Sequence, residues 1–419
     1  MVFAAIAIGC GDGAADSTST SLPGGEATLD LKIGDLIPLT GRLSDFGRPG
    51  EKAADLALDR IVTAIDKVGA DHHVTLQHED EQTEPDAAVQ AARRLTEQGA
   101  TCLAGAWAAS DTISVAQSVT IGEGVLLISP ASTSDDISEL EDDGLVNRTV
   151  APDSLQGPAL AEVMDRELGG IRGKRVNIAA RGDAYGAGLL ETFTTAWETA
   201  GGTVGQALAY DPDLPSYDSE AARLTEGEPD AYVIFDFPQT FDKVGPALVR
   251  TGRFDPATAF TTDGLAIANL PERAGEEATE GLSGTAPASP HESGPSEAFD
   301  ELFTHAGGPR RQTFDAQNFD AVILCYLAAV AAASTDGADL ATHVRRISGP
   351  GGTRYTWREL PRAIEALQNG EDIDYEGASG PIDMDVSGDA TAGVYDLFRF
   401  EGGEIEVFDQ VPIIHGADE

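Results

Sequence analysis

The stretch Ile33–Gly41, Ile-Gly-Asp-Leu-Ile-Pro-Leu-Thr-Gly, limits the fold more than any other part of the chain. It reads as a buried strand that stops at Pro38 and opens into a Thr-Gly turn. Arg42–Gly50 is then a short loop. From about Glu51, apolar or small residues recur three and four apart at Ala54, Ala57, Leu58, Ile61, Val62 and Ile65, the spacing of an amphipathic helix. A strand whose carboxyl end meets a loop and a helix N-terminus is where open α/β sheets hold ligands. The chain repeats this unit. Val74–Glu79, Ala100–Gly105 and Val125–Ser129 follow as strands, the last stopped by Pro130. A second series runs through Arg175–Ala180, Thr203–Tyr210, Asp230–Phe235 and Ala259–Thr262, with helices between. Such alternation gives parallel strands joined by right-handed crossovers.

The chain has 419 residues, more than one ordinary core accommodates. Two β–α series, an irregular stretch to Gly294, a nearly all-apolar helix at Asn318–Ser334 and a β-like tail (Pro381–Asp385, Val394–Phe400, Glu404–Gln410) predict an α/β fold of two lobes with several chain crossings. The formal charge is −44, from 71 acidic and 27 basic residues. That balance argues against nucleic-acid binding, which needs a basic surface. It fits a solvated acidic coat and equally a high-salt habitat, where screening relieves self-repulsion. No apolar run reaches eighteen residues, so no transmembrane helix is expected. There is no Gly-x-Ser-x-Gly elbow, Walker A loop or Gly-x-Gly-x-x-Gly after a strand, so neither an enzyme nor a cofactor is expected. His72, His73 and His78 lack metal-ligand spacing and read as exposed residues of a loop entering a strand. The acidic run Asp135–Asp143 reads as a solvated face.

Ala7-Ile8-Gly9-Cys10 resembles a bacterial lipobox, with Cys10 as the lipidated residue. Residues 1–9 then form a signal peptide lacking its basic start, and 10–29, rich in Gly, Ser, Thr and Asp, a flexible tether. Cys102 and Cys325 lie in apolar contexts and read as buried small hydrophobes rather than a disulfide pair.

Seven segments carry a family likeness. They are Ile33–Gly41, Gly47–Asp55, Asp80–Ala92 (with Glu84-Pro85 at an Asp-Pro place), Leu127–Thr133, Arg148–Gly157 (Arg-Thr-x-x-x-Asp-x-x-Gln-Gly), Asp183–Gly188 and Gly380–Asp389 (Gly-Pro-x-x-x-Asp-x-x-Gly-Asp). In this order they resemble the substrate-binding proteins of branched-chain amino acid type ABC transporters. The resemblance implies the type I periplasmic binding protein fold, two Rossmann-like lobes joined by three crossovers. These would fall near Val150–Asp153, Gly281–Gly284 and Asp389–Ala392. The N-terminal lobe would be 30–151 plus 285–389, the C-terminal lobe 152–284 plus 390–415. It also implies a small-molecule ligand, an amino acid or amide-like solute, held between the lobes. The partners would be ABC permease subunits and, through Cys10, a membrane, which places the protein outside the cytoplasm. A sensor domain of the same fold without transport is the alternative.

By the same resemblance, the carboxylate of an amino acid meets the loops Ala106–Thr112 and Ala131–Thr133. Ala109 stands where a ligand-binding Ser is common, and Ser110 replaces it by a one-residue shift or the ligand is not a simple amino acid. Thr133 contacts ligand or caps the next segment. Trp107 lines the pocket or packs under it. Tyr185 takes the cleft tyrosine position, and Phe237 forms an aromatic wall or belongs to the core. Asp263, at a strand end, pairs with the ligand ammonium. Arg42 and Phe46 are placed to close over the ligand.

Overall fold

The structure, a computed structural model, describes residues 28–291 and 293–414; the signal-peptide, lipobox and most of the tether readings lie outside them. The first sheet contains β1 (Leu29–Ile37), β2 (His72–Asp80), β3 (Cys102–Ala104), β4 (Leu126–Ser129) and β5 (Val146–Arg148), in the order β2-β1-β3-β4-β5, all parallel. The second contains β6 (Arg175–Arg181), β7 (Thr203–Tyr210), β8 (Ala231–Phe235), β9 (Ala259–Thr261) and β10 (Ser283–Pro287). A parallel pair, β11 (Thr353–Thr356) and β12 (Ile373–Glu376), stands apart. The late strands β13 (Ala392–Glu401) and β14 (Glu404–Ile414) complete the second sheet, in the order β14-β13-β10-β9-β8-β6-β7. Only β13 runs against its two neighbours there. β4 and β8 are apolar runs buried on both faces, as parallel strands covered by helices must be.

The core of the first lobe is the helix Asp315–Ala332, buried over Asp315–Val330 and packed on β1, β3 and β4 and on the helices Ser44–Val68 and Gly337–Ser348. Among the described residues no single helix is long and apolar enough to cross a membrane.

Several expectations are corrected. The helix expected from Glu51 starts at Ser44 and contains Pro49. Its opening turns use short-range bonds, Ser44 N–H to Gly41 O and Phe46 N–H to Leu43 O, and Pro49, sixth in the helix, withholds the N–H that would otherwise bond back to the preceding turn. Gly47 is needed there, since a Cβ would sit 2.2 Å from the Pro38 carbonyl oxygen. Tyr185 lies in the first turn of the helix Ala184–Thr199, not in a loop, because the Asp183 carboxylate caps Gly186 N–H at 3.2 Å. The stretch expected to be irregular holds β10, whose Ser-Gly-Thr-Ala-Pro sequence has little strand propensity; pairing on both sides makes it a strand. Residues 285–287, assigned to the first lobe, therefore belong to the second sheet, and the chain leaves that sheet after Pro287 rather than at Gly281–Gly284. Pro381–Asp385 makes only isolated bridges.

Two further readings change through tertiary contacts. The three histidines all sit on β2 rather than in a loop before it, and His78 is half-buried rather than exposed, with Nδ1 2.6 Å from buried Asp35 and Nε2 3.2 Å from Asp55. Those carboxylates lift its pKa to about 9 against the effect of burial. Cys102 and Cys325, both fully buried, form a disulfide that ties β3 to the helix Asp315–Ala332.

Candidate ligand-binding cleft

Loops at the carboxyl ends of strands from both sheets meet around one cavity of about 10 Å³, room for roughly one water. The first lobe contributes Leu43 and Phe46 after β1, Trp107 and Ala109 after β3, and Ala131 after β4. Phe314, just before the core helix, completes that wall. The second lobe contributes Tyr185 after β6, Phe237 after β8, and Asp263 and Gly264 after β9.

Trp107 both lines the cavity and packs beneath it. Its ring lies over Gly50, where a Cβ would come within 2.5 Å of it, and stands edge-on to Phe314 with centroids 6.1 Å apart. Its backbone N–H donates to the buried Glu81 carboxylate at 3.1 Å, fixing the loop. Phe46 meets Phe314 at 6.0 Å, so three aromatic rings form the first-lobe wall. Opposite, Tyr185 and Phe237 lie 4.8 Å apart, and the Arg181 guanidinium covers Phe237 at 3.8 Å while pairing with Asp183 at 2.5 Å.

Among the described residues, Asp263 is the one charged residue in the lining. Its carboxylate accepts Gln156 Nε2–H at 2.6 Å and, more weakly, Tyr185 O–H at 3.4 Å. Among the described residues no cation pairs with it. Burial pushes its pKa up to about 7, against the pull of those two hydrogen bonds. Gly264 follows because nothing larger fits: a Cβ would lie 2.4 Å from the Asp236 carbonyl oxygen and 2.8 Å from the Tyr185 hydroxyl.

Of the eight lining residues expected, Trp107, Ala109, Ala131, Tyr185, Phe237 and Asp263 border this cavity. Ser110 does not, and its hydroxyl is turned toward Asp111 at 3.5 Å. Thr133 is fully buried and does not border the cavity; its carbonyl accepts Asp153 N–H at 2.8 Å. Thr133 is not a cap: Ser134 takes that place, accepting Asp136 N–H at 3.3 Å. Sequence reasoning missed Leu43, Gln156, Gly264 and Phe314.

The rim is polar and spans both lobes. Arg42 bridges Glu84 and Asp213, each at 2.5 Å, and Gln239 Nε2 donates to Gly41 O at 2.6 Å. Arg273 joins Asp45 of the first lobe to Asp242 of the second, and Asn269 donates to Asp45 at 3.1 Å. Arg42 is thus a clasp rather than a lining residue. These contacts hold the lobes together while the aromatic walls exclude water.

A model of the periplasmic binding protein family matches residues 30–403. Among curated proteins, the chain is 29% identical to a Leu/Ile/Val-binding protein homolog of Brucella melitensis, over 48% of this chain and 52% of that protein, so it spans about half the length of that relative. It is 24% identical to the chemotactic signal transduction system substrate-binding protein BasB of Halobacterium salinarum, over 87% of this chain and 85% of that one. Among solved structures, the leucine binding protein LivK of Thermotoga maritima superposes with a TM-score of 0.75 at 22% identity, covering 93% of this chain and all (100%) of that one.

Proposed function

The chain belongs to the periplasmic binding protein family, and on that premise we propose that it is an extracytoplasmic receptor that closes on an amine-bearing small solute and delivers it to an ABC permease. The observation that carries this reading is Asp263: a carboxylate 3% exposed, in the interlobe cavity, with only neutral hydrogen-bond partners. A buried anion without a cation is costly, and a cationic ligand supplies what is missing. Ala109 borders the cavity and heads the helix Ala109–Val115, so its N–H has no partner within that helix and is free to donate to an anionic end of the solute. Opening would turn on the three connections that follow β5, β10 and Asp389. The rim bridges would favour the closed form, and a permease would read that form.

A thermal-shift screen of the full chain against amino acids, amides, urea and aromatic acids, at low and high salt, tests the reading. A ligand that binds only the folded state raises the melting temperature. A hit among amine-bearing solutes is expected; hits confined to solutes without an amine would discard Asp263 as the ammonium partner.

Anchoring through Cys10 is part of the same proposal. The wild-type protein is expected in the membrane fraction and a Cys10→Ser variant in the soluble fraction; a variant that stays membrane-bound would remove the lipid anchor. The likeness to BasB over most of both chains favours one second reading, in which the closed form reports to a signalling partner instead of a permease. Co-purification of the liganded protein with one membrane partner or the other separates the two.

A further inference from the structure

Arginines on this acidic surface commonly meet a carboxylate, as Arg250 meets Asp218 and Arg362 meets Glu359, both at 2.6 Å. One groove on the first lobe, about 460 Å³ in volume, departs from that pattern. The helix Ser44–Val68 lines it with Arg60 and Lys67, two turns apart and therefore on one face. Arg358 adds a third cation from the turn before the helix Leu360–Gln368. Among the described residues no carboxylate pairs with Arg60, Lys67 or Arg358. The half-buried Arg60 also keeps its Nε–H shielded from water without an acceptor, which is costly. Glu301, from the helix Gly294–His305, is the one acid in this lining. Three permanent cations thus face a single carboxylate, inside a chain whose formal charge is −44. Leu302 and Trp357 put apolar surface beside these charges.

From these residues we propose that the groove is a second ligand site, for a phosphate monoester with a small organic body. At neutral pH and above such an ester carries nearly two negative charges and three acceptor oxygens. It answers the two unbalanced cations and gives the Arg60 Nε–H an acceptor. Guanidinium forks match phosphate oxygens in pairs. A singly charged carboxylate or sulfate ester would leave half of the positive charge unmet. Bare phosphate would leave Leu302 and Trp357 unused. The site is separate from the cleft, because Arg60 lies roughly 20 Å along its helix from the cavity residue Phe46. Neither the transported solute nor Asp263 enters the argument. A soluble phosphate ester and the monoester headgroup of a lipid present the same chemistry to these residues.

The test uses the full-length Cys10→Ser chain, so that no lipid anchor contributes. It is titrated calorimetrically at pH 8 with phenyl phosphate, phenyl sulfate and inorganic phosphate. It is also sedimented with phosphatidylcholine vesicles, with and without phosphatidic acid. Phenyl phosphate is expected to bind about tenfold tighter than phenyl sulfate, its singly charged counterpart, and tighter than inorganic phosphate. An Arg60→Gln, Arg358→Gln double variant should lose roughly tenfold or more of that affinity. An Arg223→Gln variant, changed at an exposed position of the second lobe, should lose none. Melting curves of both variants check that the fold is kept. Sedimentation with the phosphatidic acid vesicles would assign the phosphate to a lipid, and binding of the soluble ester alone would assign it to a solute. Equal affinity for phenyl sulfate, binding that survives the double variant, or no binding of phenyl phosphate at low salt would overturn the site and leave the cleft reading untouched.

Discussion

Asp263→Asn is expected to weaken binding of an amine-bearing solute by roughly a hundredfold or more at pH 8, because a buried cation loses its only counter-charge. The same substitution should stabilise the unliganded protein at that pH. The two effects share one cause. Burial lifts the Asp263 pKa from 3.8 to about 7. The folded chain therefore holds a proton that the unfolded chain releases between about pH 4 and 7, so this group makes stability fall as pH rises through that window. Above pH 7 the accumulated penalty is on the order of 4 kcal/mol, and the amide does not carry it. Binding has the opposite slope. A cation prefers the ionised carboxylate, so affinity should climb about tenfold per unit up to pH 7 and level off above it. Titrations of wild type and variant from pH 5 to 8, with melting curves of both, check all three statements. Undiminished affinity in Asp263→Asn would show that the solute's amine is held elsewhere.

Much of this site was legible because its residues sit where strands stop. Asp263, Tyr185 and Phe237 each follow a run of buried residues, and in a parallel sheet such positions point to the cleft whatever the side chain. The Asp263-Gly264 pair also carried a turn signal, although the reason for the glycine is the close approach of the Asp236 carbonyl, which needs coordinates to be seen. Phe314 carried no comparable signal. It reaches the cavity from a loop at positive φ, 76°, before a helix that belongs to the core of the first lobe, and its neighbours Phe46 and Trp107 are far away in sequence. Propensity misled at β10, where small residues are held in a strand by partners on both sides. It misled again at Pro49, which suggested a loop where the helix had already begun.

The Cys102–Cys325 bridge is the largest single stabilising element that sequence spacing concealed, and replacing both residues by alanine should show its size. The two positions are 223 residues apart, and the bond closes that loop in the unfolded chain. In the chain-entropy account such a closure is worth about 5 kcal/mol, which lowers the midpoint of a chain this long by roughly 6 °C. Solute affinity should be unaffected, because neither cysteine borders the cleft. Both are fully buried, so reductant should act on the native protein only through opening, whereas melting in reductant should match the alanine variant. Thiol titration of a denatured, unreduced Cys10→Ser chain should find no free thiol. Two free thiols and an unchanged midpoint would mean that the pair is not bonded. A bond of this kind persists only where the cell does not reduce it. It is therefore an argument for the extracytoplasmic location that owes nothing to Cys10, because β3 and the core helix would hold it whether or not the chain is anchored.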